Sequence, residues 1–168
     1  YELPVKLYSR GPPFVTTLRV GTPPQSVLVA VNTHSAHVWV PDAGATGAGF
    51  SAGNSSTAKV GEDKRLAFTD GLQVDGKMLN DNVHLGDSKA KALPMVLARN
   101  VSGRVVPPKG VGLLALGPEG ADEVGFFKDF WRQHPEVGRS FRLELGGPRP
   151  RLLLGAAGEE GPREEGGE

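Results

Sequence analysis

The residues best suited to chemistry lie in a short polar segment between two apolar runs. Residues 27–31 and 38–40 are rich in valine, and such β-branched runs predict strands. The polar side chains between them are Asn32, Thr33, His34, Ser35 and His37. Polar groups at the tip of a hairpin with buried strands are typical of a functional site. This segment is therefore the first candidate for one.

Two histidines in this segment, with Asp42 beyond them, suggest metal binding as one kind of chemistry. His34 and His37 are three residues apart, a spacing that turns their rings to opposite faces of an extended chain. Neither a cysteine nor a carboxylate stands at ligand spacing from them. We therefore predict neither a metal nor another cofactor.

Ser35 beside the two histidines suggests nucleophilic catalysis as a second kind of chemistry. Neighbouring residues of an extended chain rarely place an imidazole on the adjacent hydroxyl, and no oxyanion loop is evident. The sequence therefore disfavours a serine nucleophile.

The composition predicts a single all-β domain. The 168 residues include 24 Gly and 14 Pro, separated by short valine and leucine runs, which favours many turns over a helical bundle. We place this domain at residues 1–155. Residues 156–168 are rich in Gly and Glu with nothing apolar to bury, so we predict a disordered tail or linker there.

Charge and residue usage exclude several classes of protein. The formal net charge is +0 and no basic run occurs, so a nucleic-acid binder is not expected. The chain has no cysteine, which excludes disulfides and thiolate chemistry. No apolar stretch approaches the roughly 20 residues that cross a bilayer. Because the chain begins at Tyr1, we expect it to be processed or trimmed.

Beyond the polar segment, apolar patterning and turn residues predict the remaining elements. We expect a surface loop over 42–59, and strands at 65–68, 72–74 and 77–85 with turns at Asp70-Gly71 and Asp75-Gly76. Further strands are predicted at the ranges 93–98, 141–145 and 151–155, and a short amphipathic helix at 122–133.

The order of the motifs resembles the amino-terminal lobe of the pepsin-like aspartic proteases. Residues 20–25 read VGTPPQ, 32–36 read NTHSA and 38–41 read VWVP, where that family has IGTPPQ, DTGSS and LWVP. Later, 68–72 read FTDGL and 111–117 read VGLLALG, similar to the family's flap and its DGILGLG loop. The resemblance implies an all-β lobe of double-psi barrel or sandwich type with one or two short helices.

The resemblance places Asn32 at the position of the catalytic aspartate and His34 at that of a glycine. Phe68 stands where the flap has a tyrosine, whose hydroxyl bonds to the tryptophan at Trp39, and Val111 replaces an aspartate. An amide cannot take the proton that two paired carboxylates share. The degenerate site is then Asn32, Thr33 and His34, with no catalytic residue. The implied binding residues are Thr33, Ser35, Trp39, Phe68, Asp70, Gly71 and Gly112.

These features predict a non-catalytic pseudoprotease that binds a protein or peptide. One alternative is a lobe of an acid endopeptidase whose second lobe or catalytic aspartate comes from another segment or chain. Another is a structural subunit, in which the inter-lobe surface meets a partner such as a second pepsin-like lobe or a homodimer mate. Glycosylation sequons at Asn54 and Asn100 favour the secretory pathway or the extracellular space.

Overall fold

The computed structural model of the chain describes residues 1–7, 14–104, 106–117, 125–146 and 148–155. The predicted tail at 156–168 lies outside them. The strands are β1 (Glu2–Pro4), β2 (Lys6–Leu7), β3 (Phe14–Val20), β4 (Gln25–Asn32), β5 (Trp39–Pro41), β6 (Lys59–Ala67), β7 (Gln73–Leu85), β8 (Ser88–Ser102), β9 (Val111–Ala115), β10 (Phe141–Glu144) and β11 (Arg151–Leu154). The helices are α1 (Ala43–Thr46) and α2 (Phe126–Gln133), with a 3₁₀ turn at Ala52–Asn54.

Most of the strands form one sheet that closes into a barrel. Its order is β2-β3-β4-β9-β5-β8-β7-β6, and a further pairing of β3 with β7 closes the ring. The closing pairs join Arg19 to His84 and Val20 to Val83. β4 runs parallel to β9, and β5 parallel to β8. Closure leaves the strands of the ring without unpaired edges. The prediction of an all-β fold is confirmed.

The barrel encloses an apolar core. In the second half of β3, Leu18 and Val20 are buried and Arg19 between them is exposed, as expected of a strand with one face inward, and all five residues of β9 are buried. α2 packs on β8 and buries Phe126 and Phe130 completely. The largest fully buried side chains elsewhere are Trp39, Phe50, Leu18, Leu79, Leu85, Leu93, Met95, Leu114, Leu152 and Leu154.

A second, smaller sheet has the order β1-β11-β10 and is antiparallel throughout. β10 and β11 pair with Phe141 opposite Leu154, so the predicted strand pair is present. Leu152 and Leu154 of β11 are buried, whereas Phe141 and Leu145 are exposed. Within the described part of the chain, β1 and β10 therefore form the open edges of this sheet.

The prediction of a surface loop at 42–59 missed α1, the 3₁₀ turn and the buried Phe50. Asp42 caps α1, its side chain accepting a hydrogen bond from the Gly44 amide. Phe50 is 0% exposed and packs in the hydrophobic core, which fixes the position of the segment. The Gly- and Ser-rich composition gave no sign of the Asp42 cap or of the buried Phe50, because neither feature produces a periodic pattern.

Only one of the two predicted turns in the flap region is correct. At Asp70-Gly71 the chain reverses, Phe68 N donates to Leu72 O, and Gly71 has a φ of 86°. Asp75-Gly76 instead lies inside β7, at an irregularity in its pairing with β8. Gly76 passes against the backbone of Leu97, so its lack of a Cβ serves close strand approach rather than a turn.

The helix prediction is confirmed for 126–133, while residues 122–124 of the predicted range lie outside the described residues. No helix in the described ranges is both long and apolar enough to span a membrane.

Candidate functional site

The polar segment that follows β4 is held by the strand that lies parallel to it. Asn32 is the last residue of β4 and pairs with Ala115 of β9. Beyond that pair, Leu116 N donates to Asn32 O at 2.7 Å, and Gly117 N donates to Ser35 O at 2.8 Å. The tip is thus fixed by backbone hydrogen bonds to a neighbouring segment.

The side chain of Asn32 organises the turn. Its Oδ1 accepts hydrogen bonds from His34 N at 2.7 Å and from Ser35 N at 3.1 Å. Because backbone N–H groups can only donate, these bonds identify the oxygen and leave Nδ2 on the other side of the amide plane. Nδ2 has no hydrogen-bond partner among the residues that the structure describes. A donor therefore remains available at the tip.

The residues after Asn32 alternate between the surface and the core. Ala36 and Val38 are buried, whereas Ser35 and His37 are partly exposed. Ser35 Oγ accepts from His37 N at 3.1 Å, and the ring of His37 meets that of Phe68 edge to face at 6.0 Å between centroids. His37 thereby joins the polar segment to the flap.

The flap is the turn between β6 and β7, residues 68–72. Asp70 Oδ1 accepts from Leu72 N at 3.0 Å, which stabilises the turn. Phe68 is partly buried and packs on the core beside its contact with His37.

A cavity of about 310 Å³ lies between the polar segment and the flap. From the polar segment it is lined by Asn32, His34, Ser35 and His37, and from the flap side by Ala67, Phe68, Thr69 and Asp70. The structure thus brings together five residues singled out from the sequence, Asn32, His34, Ser35, Phe68 and Asp70. This volume is at the lower end of the range for ligand pockets, enough for one or two side chains.

The other sequence-predicted site residues do not line this cavity. Thr33 is exposed at the tip, its Oγ1 3.5 Å from His34 Nδ1, and Gly71 lies in the flap turn. Gly112 is buried in β9, where a Cβ would collide with Trp39 O. The lack of a Cβ at Gly112 therefore serves the close packing of strands.

Trp39 lies inside the barrel and is 1% exposed. Its indole Nε1 is buried and has no hydrogen-bond partner among the described residues. An unmet buried donor costs about 1–3 kcal/mol. Phe68 has no hydroxyl that could accept from it.

Three lining residues, His37, Ala67 and Thr69, were not predicted as binding residues. His37 lies two residues after Ser35 in the segment between β4 and β5, so the alternation of side chains expected of an extended chain was a signal that could have identified it. Ala67 and Thr69 carry no such signal, because only the folding of the flap over the tip brings them there.

The described residues contain no group of three His, Cys, Asp or Glu side chains that could hold a metal ion. The two sequon asparagines are exposed, Asn54 in the 3₁₀ turn and Asn100 in β8. Their glycosylation stays a prediction.

Comparison with known proteins gives consistent matches. The family model for "Eukaryotic aspartyl protease" matches residues 13–134. Syncephapepsin of Syncephalastrum racemosum is 32% identical over 108 residues, which is 62% of this chain and 27% of that protein. Podosporapepsin of Podospora anserina is 29% identical over 113 residues, with the same shares. The chain spans about a quarter of the length of these curated relatives.

Proposed function

The chain belongs to the eukaryotic aspartyl protease family, and we propose that it is a non-catalytic member whose cleft binds an extended peptide. The observation that carries this proposal is Asn32 at the tip of the hairpin. Its Oδ1 is occupied by two backbone N–H donors, and its remaining polar atom is a donor. Asn32 keeps the hydrogen bonds that shape the tip but has no carboxylate that could take a proton from a water molecule.

Hydrolysis by this family's chemistry needs two carboxylates that share one proton, one acting as base and the other as acid. An amide nitrogen cannot accept a proton near neutral pH. Asp70 is the carboxylate that lines the cavity, and its Oδ1 is used in the flap turn. A single carboxylate without a partner cannot form the proton-sharing pair.

Binding needs less of the site than hydrolysis does. The tip and the flap still face each other across a cavity large enough for peptide side chains. The backbone bonds from Leu116 and Gly117 hold the tip, and the flap turn is closed by its own bonds. Cavity walls that are ordered before binding reduce the conformational entropy lost when a peptide binds. This favours a peptide-binding role for the cavity.

A second candidate is one lobe of an acid endopeptidase whose other lobe lies on another segment or chain. It is favoured by the share of the relatives' length that this chain covers, about a quarter. The exposed Phe141 and Leu145 beside the open edge of the small sheet also fit such a partner, or a second copy of this chain. A secretory location is part of either proposal and rests on the sequons at Asn54 and Asn100.

Cleavage of an unfolded protein at acid and neutral pH tests the first proposal. We expect no cleavage that a transition-state peptide inhibitor of aspartic proteases blocks, either by the chain or by its Asn32→Asp variant. Inhibitor-sensitive cleavage by the unaltered chain would overturn the pseudoprotease proposal. Such cleavage by the variant alone would show that the lost carboxylate is the whole defect.

Sedimentation in the same buffers tests the second candidate. A monomer without cleavage supports the binding module. A dimer that cleaves only as a dimer would instead favour the assembled endopeptidase.

A further inference from the structure

The polar groups that line the cavity at the tip are mainly hydrogen-bond donors. Asn32 Oδ1 is occupied, so its amide offers Nδ2. Ser35 Oγ already accepts from His37 N, which leaves its hydroxyl proton to be donated. His34 is exposed at the mouth of the cavity, and a neutral or protonated imidazole carries at least one N–H.

From this arrangement we propose that the cavity binds a carboxylate of the peptide, either an Asp or Glu side chain or the carboxyl terminus. The inference rests on the proposed peptide-binding function and adds its ligand chemistry. A carboxylate offers only acceptors when ionised, with two oxygens that match several convergent donors. A neutral side chain such as leucine would leave the amide of Asn32 and the hydroxyl of Ser35 without partners.

Asp70 on the flap is the acidic residue among the described lining of the cavity. Its carboxylate repels an anionic ligand, so its replacement by a neutral amide should strengthen carboxylate binding.

Two pools of random synthetic hexapeptides test the inference, one with free carboxyl termini and one with amidated termini. Each is passed over the immobilised chain at neutral pH. We expect peptides with Asp or Glu to be retained roughly three- to tenfold over those with Asn or Gln. Preference for the free-terminus pool would identify the carboxyl terminus as the source, and preference for acidic side chains in both pools the side chain.

Four variants locate the binding. Asn32→Asp replaces a donor by a negative charge of the same shape, and His34→Gly removes an imidazole; both should abolish the acidic preference. Asp70→Asn removes the repelling charge and should raise the preference. The matched control is His84→Gln, because His84 lies on β7 opposite Arg19 and does not line the cavity. It should leave the preference unchanged.

The outcomes separate this inference from the function on which it rests. Retention without any acidic preference would overturn the carboxylate proposal and leave peptide binding standing. Acidic preference that survives Asn32→Asp and His34→Gly would also overturn it, because the carboxylate would then bind elsewhere. If neither pool is retained, the proposed peptide-binding function fails as well.

Discussion

The closed barrel and the small sheet β1-β11-β10 are stabilised in different ways. In the barrel ring the strand edges are paired, and side chains such as Leu79, Leu93 and Met95 are 0% exposed. In the small sheet, Leu152 and Leu154 of β11 are buried in the same core, but β10 has no fully buried residue, and solvent-accessible ion pairs join Arg151 to Glu144 and Glu2. Burial stabilises the barrel and β11 strongly, whereas the ion pairs beside β10 contribute little. The barrel can therefore hold a rigid site, and β10 is the strand that would gain most from a partner.

The largest difference in stability loss between the barrel and the small sheet should appear when a leucine in each is replaced by alanine. Leu79→Ala in β7 leaves a cavity in a fully buried site and should lower the free energy of unfolding by about 2–5 kcal/mol. Leu143→Ala in the partly buried β10 should cost only about 1 kcal/mol. Urea unfolding of both variants measures the difference. Equal losses would mean that the small sheet is as tightly packed as the barrel.

A smaller contrast is expected between two glycines. Gly112→Ala puts a Cβ against Trp39 O in the barrel and should destabilise the fold by about 1–3 kcal/mol. Gly146→Ala, beside the small sheet, meets no described atom within 4 Å and should change stability by less than about 0.5 kcal/mol. Thermal unfolding of the two variants checks this, and a tolerated alanine at Gly112 would show that β5 and β9 can separate.

The smallest effect concerns the ion pairs of the small sheet. The hydrogen bond from Arg151 lowers the pKa of Glu144 below its ordinary value of 4.5. A depressed carboxyl pKa stabilises the folded state above pH 4.5, and this contribution is lost as the pH falls through the folded-state value. Glu144→Gln should therefore be slightly less stable than the unaltered chain at neutral pH.

Urea unfolding at neutral pH and well below pH 4.5 measures this pH dependence. The difference between the two proteins should shrink with acidification and with added salt, since the pair is exposed to solvent. A difference that grows at low pH would contradict the assignment of the pair as the cause.

Local sequence patterns predicted the structure correctly where residues close together in the chain determine it. The alternation in 141–145 predicted β10, and the spacing of Phe127 and Phe130 predicted α2. They failed at Asp75-Gly76, because that dipeptide usually forms a turn but here lies beside Leu97 of β8. They also failed at Phe50, a single apolar residue whose burial depends on distant strands.

The sequence likewise predicted one part of the candidate site and not the other. The amide of Asn32 and its bonds to His34 and Ser35 lie within four consecutive residues, so the sequence itself determines the shape of the turn and the absence of a carboxylate at position 32. The cavity exists only because the pairing of β3 with β7 closes the barrel and the flap turn folds over the tip. Short hydrogen-bonded turns are specified by adjacent residues, whereas a cavity between segments depends on contacts between residues far apart in the chain. That is why the tip could be derived from the sequence, while Ala67 and Thr69 were placed beside it only by the tertiary structure.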